Sequence, residues 1–267
     1  MKAVYLDGIG LLAPGLPGWS DSMTVLNGTA AYRRGDIPEH RSSLLSANER
    51  RRTTATIKLA LQVAQEASEQ ASERASGATT QAWSVFTSSE GDSEIIHKVC
   101  TALAMPERPV SPTLFHNSVH NAPAGYWSIA TGCTMPSTSI CAFDGSFSAG
   151  LLEAATTVLV ERTSVLLVAY EYPPPFPLCE TRHVSEPFAA ALWLAAHRTS
   201  SSRASLELSV AASLEEDRLD DADLEGMRTS SPAARSLPLL CAIARGRACD
   251  VVLPYLQHAR LAVRVTP

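Results

Sequence analysis

The sequence has no Cys-x-x-Cys pair. Its six cysteines, Cys100, Cys133, Cys141, Cys179, Cys241 and Cys249, stand singly among 267 residues, which excludes a disulfide scaffold and a zinc ribbon and leaves reduced, mostly buried thiols as the expectation. Positive charge is also short: 22 Lys+Arg stand against 27 Asp+Glu, a net charge of −5, so neither nucleic acid nor an anionic membrane surface is an expected partner. The start, Met1 to Gly15, has one lysine, an Asp7 inside its apolar stretch and no small-residue cleavage site, so no secretory signal is read and the cytoplasm is expected. From Pro109 to Phe143 there is no Asp, Glu, Lys or Arg. Four prolines, His116, Asn117, His120 and Asn121 make this stretch too polar for a membrane span; it reads as buried loops and turns at an interface or active site. There is no internal repeat, and no metal or cofactor is implied.

What is present suits one folded core or at most two small ones: 45% of the residues are apolar. Ala3 to Gly15 reads as a strand running into a Gly/Pro bend. Ser46, with Glu49 three residues on, is a capping box opening a helix that runs to about Ala71, and the Ala/Ser/Glu-rich run Glu66–Gln81 fades into a loop. Trp83–Thr87 is a short strand, Ser93–Leu103 a helix and Ser137–Ala142 a strand. Ser146–Val160, almost apolar all round, is a helix buried on every side. With the continuous apolar strand Ser164–Tyr170 it completes a βαβ unit. Strands follow near Phe188–Leu194 and Ser205–Ala211. Ala212 to Arg235 is an acidic solvated loop, Leu237–Arg245 a helix, and Arg260–Val265 an edge strand.

Several segments, in this order and spacing, resemble the N-terminal half of a β-ketoacyl synthase of the thiolase-like fold. They are the opening strand and glycine bend Val4–Gly15; Val119-His120-Asn121-Ala122-Pro123-Ala124-Gly125 ahead of a helix; Thr134–Ser146, similar to the strand that runs into the nucleophile turn; and the alanine-rich strand Phe188–Leu194. The resemblance covers about residues 2–194. It implies an α/β fold with a mixed five-stranded sheet layered with helices, in a single domain spanning 1–267 whose last part, 195–267, is the acidic loop plus a C-terminal helix and strand.

The same resemblance exposes two departures. The family places a nucleophilic cysteine at a strand–helix turn, where amide dipoles favour a thiolate; that position here is Asp144, which reads as a helix N-cap. Cys141 lies three residues earlier, as a small buried hydrophobe. None of the seven histidines, His40, His97, His116, His120, His183, His197 and His258, stands in the family's C-terminal catalytic motifs. His116 and His120 read as structural hydrogen-bonders, Ser146 and Ser148 do not form a hydrolase elbow, and Arg50–Arg52 reads as a solvated helix start rather than a carrier-protein patch. The resemblance therefore implies no catalytic residue in this chain. It implies a chain-length-factor-like subunit, of the short kind found with aryl polyene ketosynthases. Such a subunit would pair with a full-length β-ketoacyl synthase and meet acyl carrier protein only indirectly. Residues Ser111–Asp144 would form the interface, with Phe115, Val119, Tyr126, Met135 and Phe143 touching the partner or its acyl chain. Two alternatives stay open: an active acyl-transfer or decarboxylating enzyme using Asp144 or Cys141, and a binding-only module of the same fold.

Overall fold

Two adjacent strands with no exposed residue, β4 (Val165–Glu171) and β5 (Phe188–Ala195), form the middle of the molecule. The structure, a computed structural model, describes residues 2–38, 44–75, 81–200, 202–212 and 214–267; His40 and the end of the Ala/Ser/Glu-rich run lie outside them. The other strands are β1 (Val4–Leu12), β2 (Trp83–Thr87), β3 (Ser137–Ile140), β6 (Ala204–Ala211), β7 (Cys249–Leu256) and β8 (Ala259–Thr266). All eight lie in one sheet, in the order β3-β2-β4-β5-β1-β6-β8-β7.

Strands β3, β2 and β4 are parallel, and every other neighbouring pair is antiparallel. The expected mixed five-stranded sheet is the run β3-β2-β4-β5-β1. The full sheet has eight strands because β6 joins β1 through Val4–Leu6 and carries the β8–β7 hairpin outward. Strand β8 is therefore internal, not the expected edge. Strand β7 holds Pro254 next to a register shift, a proline position that hides a strand from a sequence pattern.

Alternation along β4 and β5 divides the core in two. Val165, Leu167, Ala169, Phe188, Ala190, Leu192 and Leu194 face α7 (Ser146–Glu161), α9 (Leu237–Arg245) and the C-terminal hairpin; Leu166, Val168, Tyr170, Ala189, Ala191 and Trp193 face α3 (Ala55–Ala75) and α6 (Ala122–Thr131). Helix α7 is less enclosed than its composition predicts: Phe147, Leu151, Ala154, Ala155 and Val158 are buried, but Val160 is 68% exposed. Helix α3 lies almost against the backbone of β1. A Cβ on Gly8 would stand 2.0 Å from the Ala67 carbonyl oxygen, and one on Gly10 the same distance from that of Val63. On its outer side Glu66 accepts the amides of Leu11 (2.9 Å) and Trp19 (2.7 Å), tying α3 to β1 and to α1 (Trp19–Leu26), a helix with no strong sequence signal.

Three further helices depart from expectation. The helix opening at Ser46 is two: α2 (Ala47–Arg52), whose cap Ser46 accepts from the Glu49 amide, and α3. Thr53 between them is extended, and the Thr54 hydroxyl accepts the Ile57 amide as a new cap. The acidic stretch contains α8 (Ala222–Ser230), started by Asp221, which accepts the amides of Asp223 and Leu224 (3.1 Å each), and anchored by buried Leu224 and Met227. Between β2 and β3 lie α4 (Ser93–Ala104), α5 (Pro112–Asn117) and α6; the last two fall inside the charge-free segment, which is two short helices joined by turns rather than loops alone.

Because Gly10 allows α3 to approach, Gly10→Ala would drive a methyl into the Val63 backbone. We expect a loss of about 1–3 kcal/mol, as for overpacked cores, read as a lower urea midpoint at unchanged m-value.

Candidate functional site

The carboxyl ends of parallel strands and the amino end of the helix that follows are where α/β folds place their chemistry. Here β2, β3 and β4 end beside the start of α7. After Cys141 the chain turns through Phe143–Gly145, a single 3-10 turn, with Phe143 held at φ 49°. Left-handed backbone is costly for a bulky side chain, and the turn is held from several sides. The Ser146 hydroxyl donates to the Phe143 carbonyl (2.6 Å) and accepts the Ala142 amide (3.0 Å). Thr87 of β2 donates to the Ser146 carbonyl (2.8 Å). Gly145 packs on β7, where a Cβ would stand 2.2 Å from the Tyr255 carbonyl oxygen. Ser146 and Ser148, which donates to the Pro254 carbonyl (2.6 Å), are thus structural.

Asp144 caps no helix. Gly145 occupies the N-cap position, and the Asp144 carboxylate turns to two guanidiniums: Arg182 reaches Oδ1 at 2.7 Å and Arg235 reaches Oδ2 at 2.9 Å. Two cations outbid the amides of one helix end for a single carboxylate. Arg182 also lies over the Phe143 ring, 4.1 Å from its centroid, a cation–π contact that steadies an otherwise exposed aromatic. Cys141 is exposed rather than buried, and its thiol donates to the Ser89 carbonyl (2.8 Å).

Behind this turn sits a carboxylate that sequence reasoning missed. Glu171, fully buried at the end of β4, accepts from the Ser89 amide, the Ser89 hydroxyl (3.0 Å) and the Ser88 hydroxyl (3.4 Å). Burial, opposed by those hydrogen bonds, pushes its pKa to about 7. Burial likewise raises neighbouring Glu90. The only sequence signal was a glutamate closing an otherwise apolar strand.

The two histidines of the charge-free segment do not act together: His116 stacks edge-on to Tyr126 (6.4 Å between centroids), whereas His120 Nε2 lies 3.2 Å from the Ile140 carbonyl. Among the described residues no cluster of three potential metal ligands occurs. Of the candidate contact residues, Phe115, Val119 and Phe143 are 53–67% exposed and Met135 is half-buried; Tyr126 is buried, its hydroxyl donating to Asn117 (3.1 Å). Tyr126 therefore supports the surface from beneath. Ile129, 65% exposed, joins it unanticipated. Strand β3, which lies between the segments carrying these side chains in sequence, pairs only with β2 among the described strands. No helix among the described residues is long and apolar enough to cross a membrane. Arg50, Arg51 and Arg52 lie on the exposed α2.

Asp144→Ala leaves two partly exposed guanidiniums without their carboxylate; solvent screens much of the effect, so we expect a stability loss of about 1 kcal/mol and a more mobile Phe143 ring by NMR. Glu66 and Glu171 both hold pKa values near 7 in the folded chain, against 4.5 ordinarily. Their protonated forms favour folding, so stability falls as pH rises from about 4.5 to about 7. Urea melts across that range should show the fall, and Glu171→Gln should remove about half of it.

Comparison with known proteins agrees with this architecture. A family model described as the β-ketoacyl synthase N-terminal domain matches residues 27–251, starting and ending later than the resembling segments. No curated protein matches. Among solved structures, a ketosynthase in complex with its chain length factor from Xenorhabdus doucetiae matches at TM-score 0.74 and 22% identity, over 99% of this chain and 100% of the other. The ishigamide ketosynthase/chain length factor matches at TM-score 0.75 and 12% identity, over 99% of both. A β-ketoacyl synthase from Burkholderia phymatum STM815 matches at TM-score 0.63 and 13% identity, over 92% of this chain and 71% of the other. Identities this low speak for the fold alone. With the family model spanning most of its length, the chain belongs to the β-ketoacyl synthase N-terminal domain family and has the thiolase-like fold.

Proposed function

We propose that this chain is a non-catalytic, chain-length-factor-like subunit that pairs with an active β-ketoacyl synthase during elongation of a fatty-acid- or polyketide-type chain, aryl polyene synthesis being the setting its resemblance favours. The observation that carries this reading is the turn before α7. Condensation needs a nucleophile there that can form and release a thioester, and Asp144 is a carboxylate held between Arg182 and Arg235. The partner supplies the reactive cysteine; this chain supplies surface and shape. Phe115, Val119, Ile129, Met135 and Phe143 form the docking face, and Phe143 is its anchor, since exposed aromatics in fixed positions dominate interfaces of this kind. Acyl carrier protein meets the synthase, and this chain only through it. The cytoplasm suits six thiols that form no disulfide.

The test is co-expression with a full-length ketosynthase, light scattering on the purified material and a condensation assay. A one-to-one complex is expected. Its activity survives Cys141→Ala and Asp144→Ala and is lost with the partner's own cysteine, and Phe143→Asp weakens assembly by about 2 kcal/mol or more. Absence of a complex, or activity that disappears with Cys141 or Asp144, overturns the proposal.

A further inference from the structure

On the other side of the Phe143–Gly145 turn lies an open cavity of about 450 Å³, bordered by α8, the 3-10 helix Ala233–Ser236 and the β7–β8 turn. Three arginines line it, and their partners differ. Arg228 is fully matched, bonded twice by Glu225 (2.6 and 2.7 Å), with Glu216 at 3.6 Å. Arg235 shares the single carboxylate of Asp144 with Arg182. Arg260 has no carboxylate partner among the described residues: its Nη1 donates to the carbonyls of Leu256 (3.2 Å) and Ala259 (3.1 Å), and its Nε is buried without an acceptor. The two acids that line the cavity, Asp144 and Glu216, are already engaged by the other arginines.

From this we infer that the cavity is a binding site for a small anion, a phosphate or carboxylate group, received by Arg260 with Arg235 beside it. A guanidinium at a cavity wall with no carboxylate partner leaves its charge uncompensated, and an oxyanion in the cavity would compensate it through charge-assisted bonds to the terminal nitrogens. The hairpin carbonyls already hold Arg260 in place, so little side-chain entropy remains to be lost on binding. The cavity is larger than a lone anion needs. Its remaining walls include Phe143, Pro254 and Leu256, which suits an anion carried on a short uncharged or apolar tail. Every lining residue belongs to this chain, and Phe143 is shared with the proposed docking face, so the free chain is the form to titrate.

The test is calorimetric titration of the purified chain without a synthase, using inorganic phosphate, acetate and hexanoate at constant ionic strength. Saturable one-to-one binding is expected. Arg260→Gln should weaken it roughly 10- to 100-fold, as loss of a charged hydrogen bond implies. Arg264→Gln, which removes an exposed cation paired with Asp250 on the neighbouring strand, should leave it unchanged, and circular dichroism should show both variants folded. Stronger binding of phosphate than of acetate assigns a phosphoryl ligand and the reverse a carboxylate; a gain for hexanoate over acetate assigns the apolar tail. No saturable binding of any of the three, or binding indifferent to Arg260→Gln, overturns the proposal.

Discussion

A sheet whose central strands carry no exposed residue can exist in water only if both of its faces are covered, and this requirement organises the rest of the chain. Strands β4 and β5 present apolar side chains above and below. Helix α7 closes one face and α3 the other, the latter so tightly that β1 has glycine at the two points of contact. Once α7 must lie flat on β4, the link from β3 into α7 has to reverse within a few residues, and the left-handed backbone at Phe143 is where that reversal is absorbed. The candidate site is thus a by-product of covering the sheet.

What sits in that reversal decides the character of the molecule. A thiol there would be exposed to helix amides and activated. Instead the turn presents an aromatic ring outward and a carboxylate sideways, and Arg182 links them by touching both. The arrangement places an ion-paired carboxylate where the family's resemblance puts a nucleophile, and the proposed non-catalytic role rests on that pairing. Glu171 reinforces it from within by gathering the Ser88–Ser89 backbone and hydroxyls under the site.

Much of the fold was legible because burial writes itself into composition. The apolar run Val165–Tyr170 and the alanine-rich Phe188–Leu194 could be little other than covered strands, and both are. Elements whose stability comes from elsewhere were not legible. Helix α8 has only Leu224 and Met227 as apolar anchors and looks like acid-rich solvent-facing chain until its Asp221 cap is seen. Strand β7 is masked by Pro254, and α1 is fastened by Glu66, a residue some 47 positions away. At the site, the sequence located the turn but misassigned its side chains. Asp144 has the right type and place for a cap, yet two arginines distant in sequence claim it. Cys141 has the composition of a core residue and the position of an exposed one. Long-range charge pairing of this sort leaves no periodic trace.

The edge strand β3 limits how another chain could add to the sheet. Ser137 to Ile140 are four small or β-branched residues with neither proline nor charge, and one side of their backbone is unpaired within the described chain. Natural proteins blunt such edges in several ways, and brevity is one of them. A segment added beside four residues would gain few backbone hydrogen bonds, too few to hold it by themselves. Selectivity at this end of the sheet therefore falls to side chains, and an arbitrary extended peptide finds little there to bind.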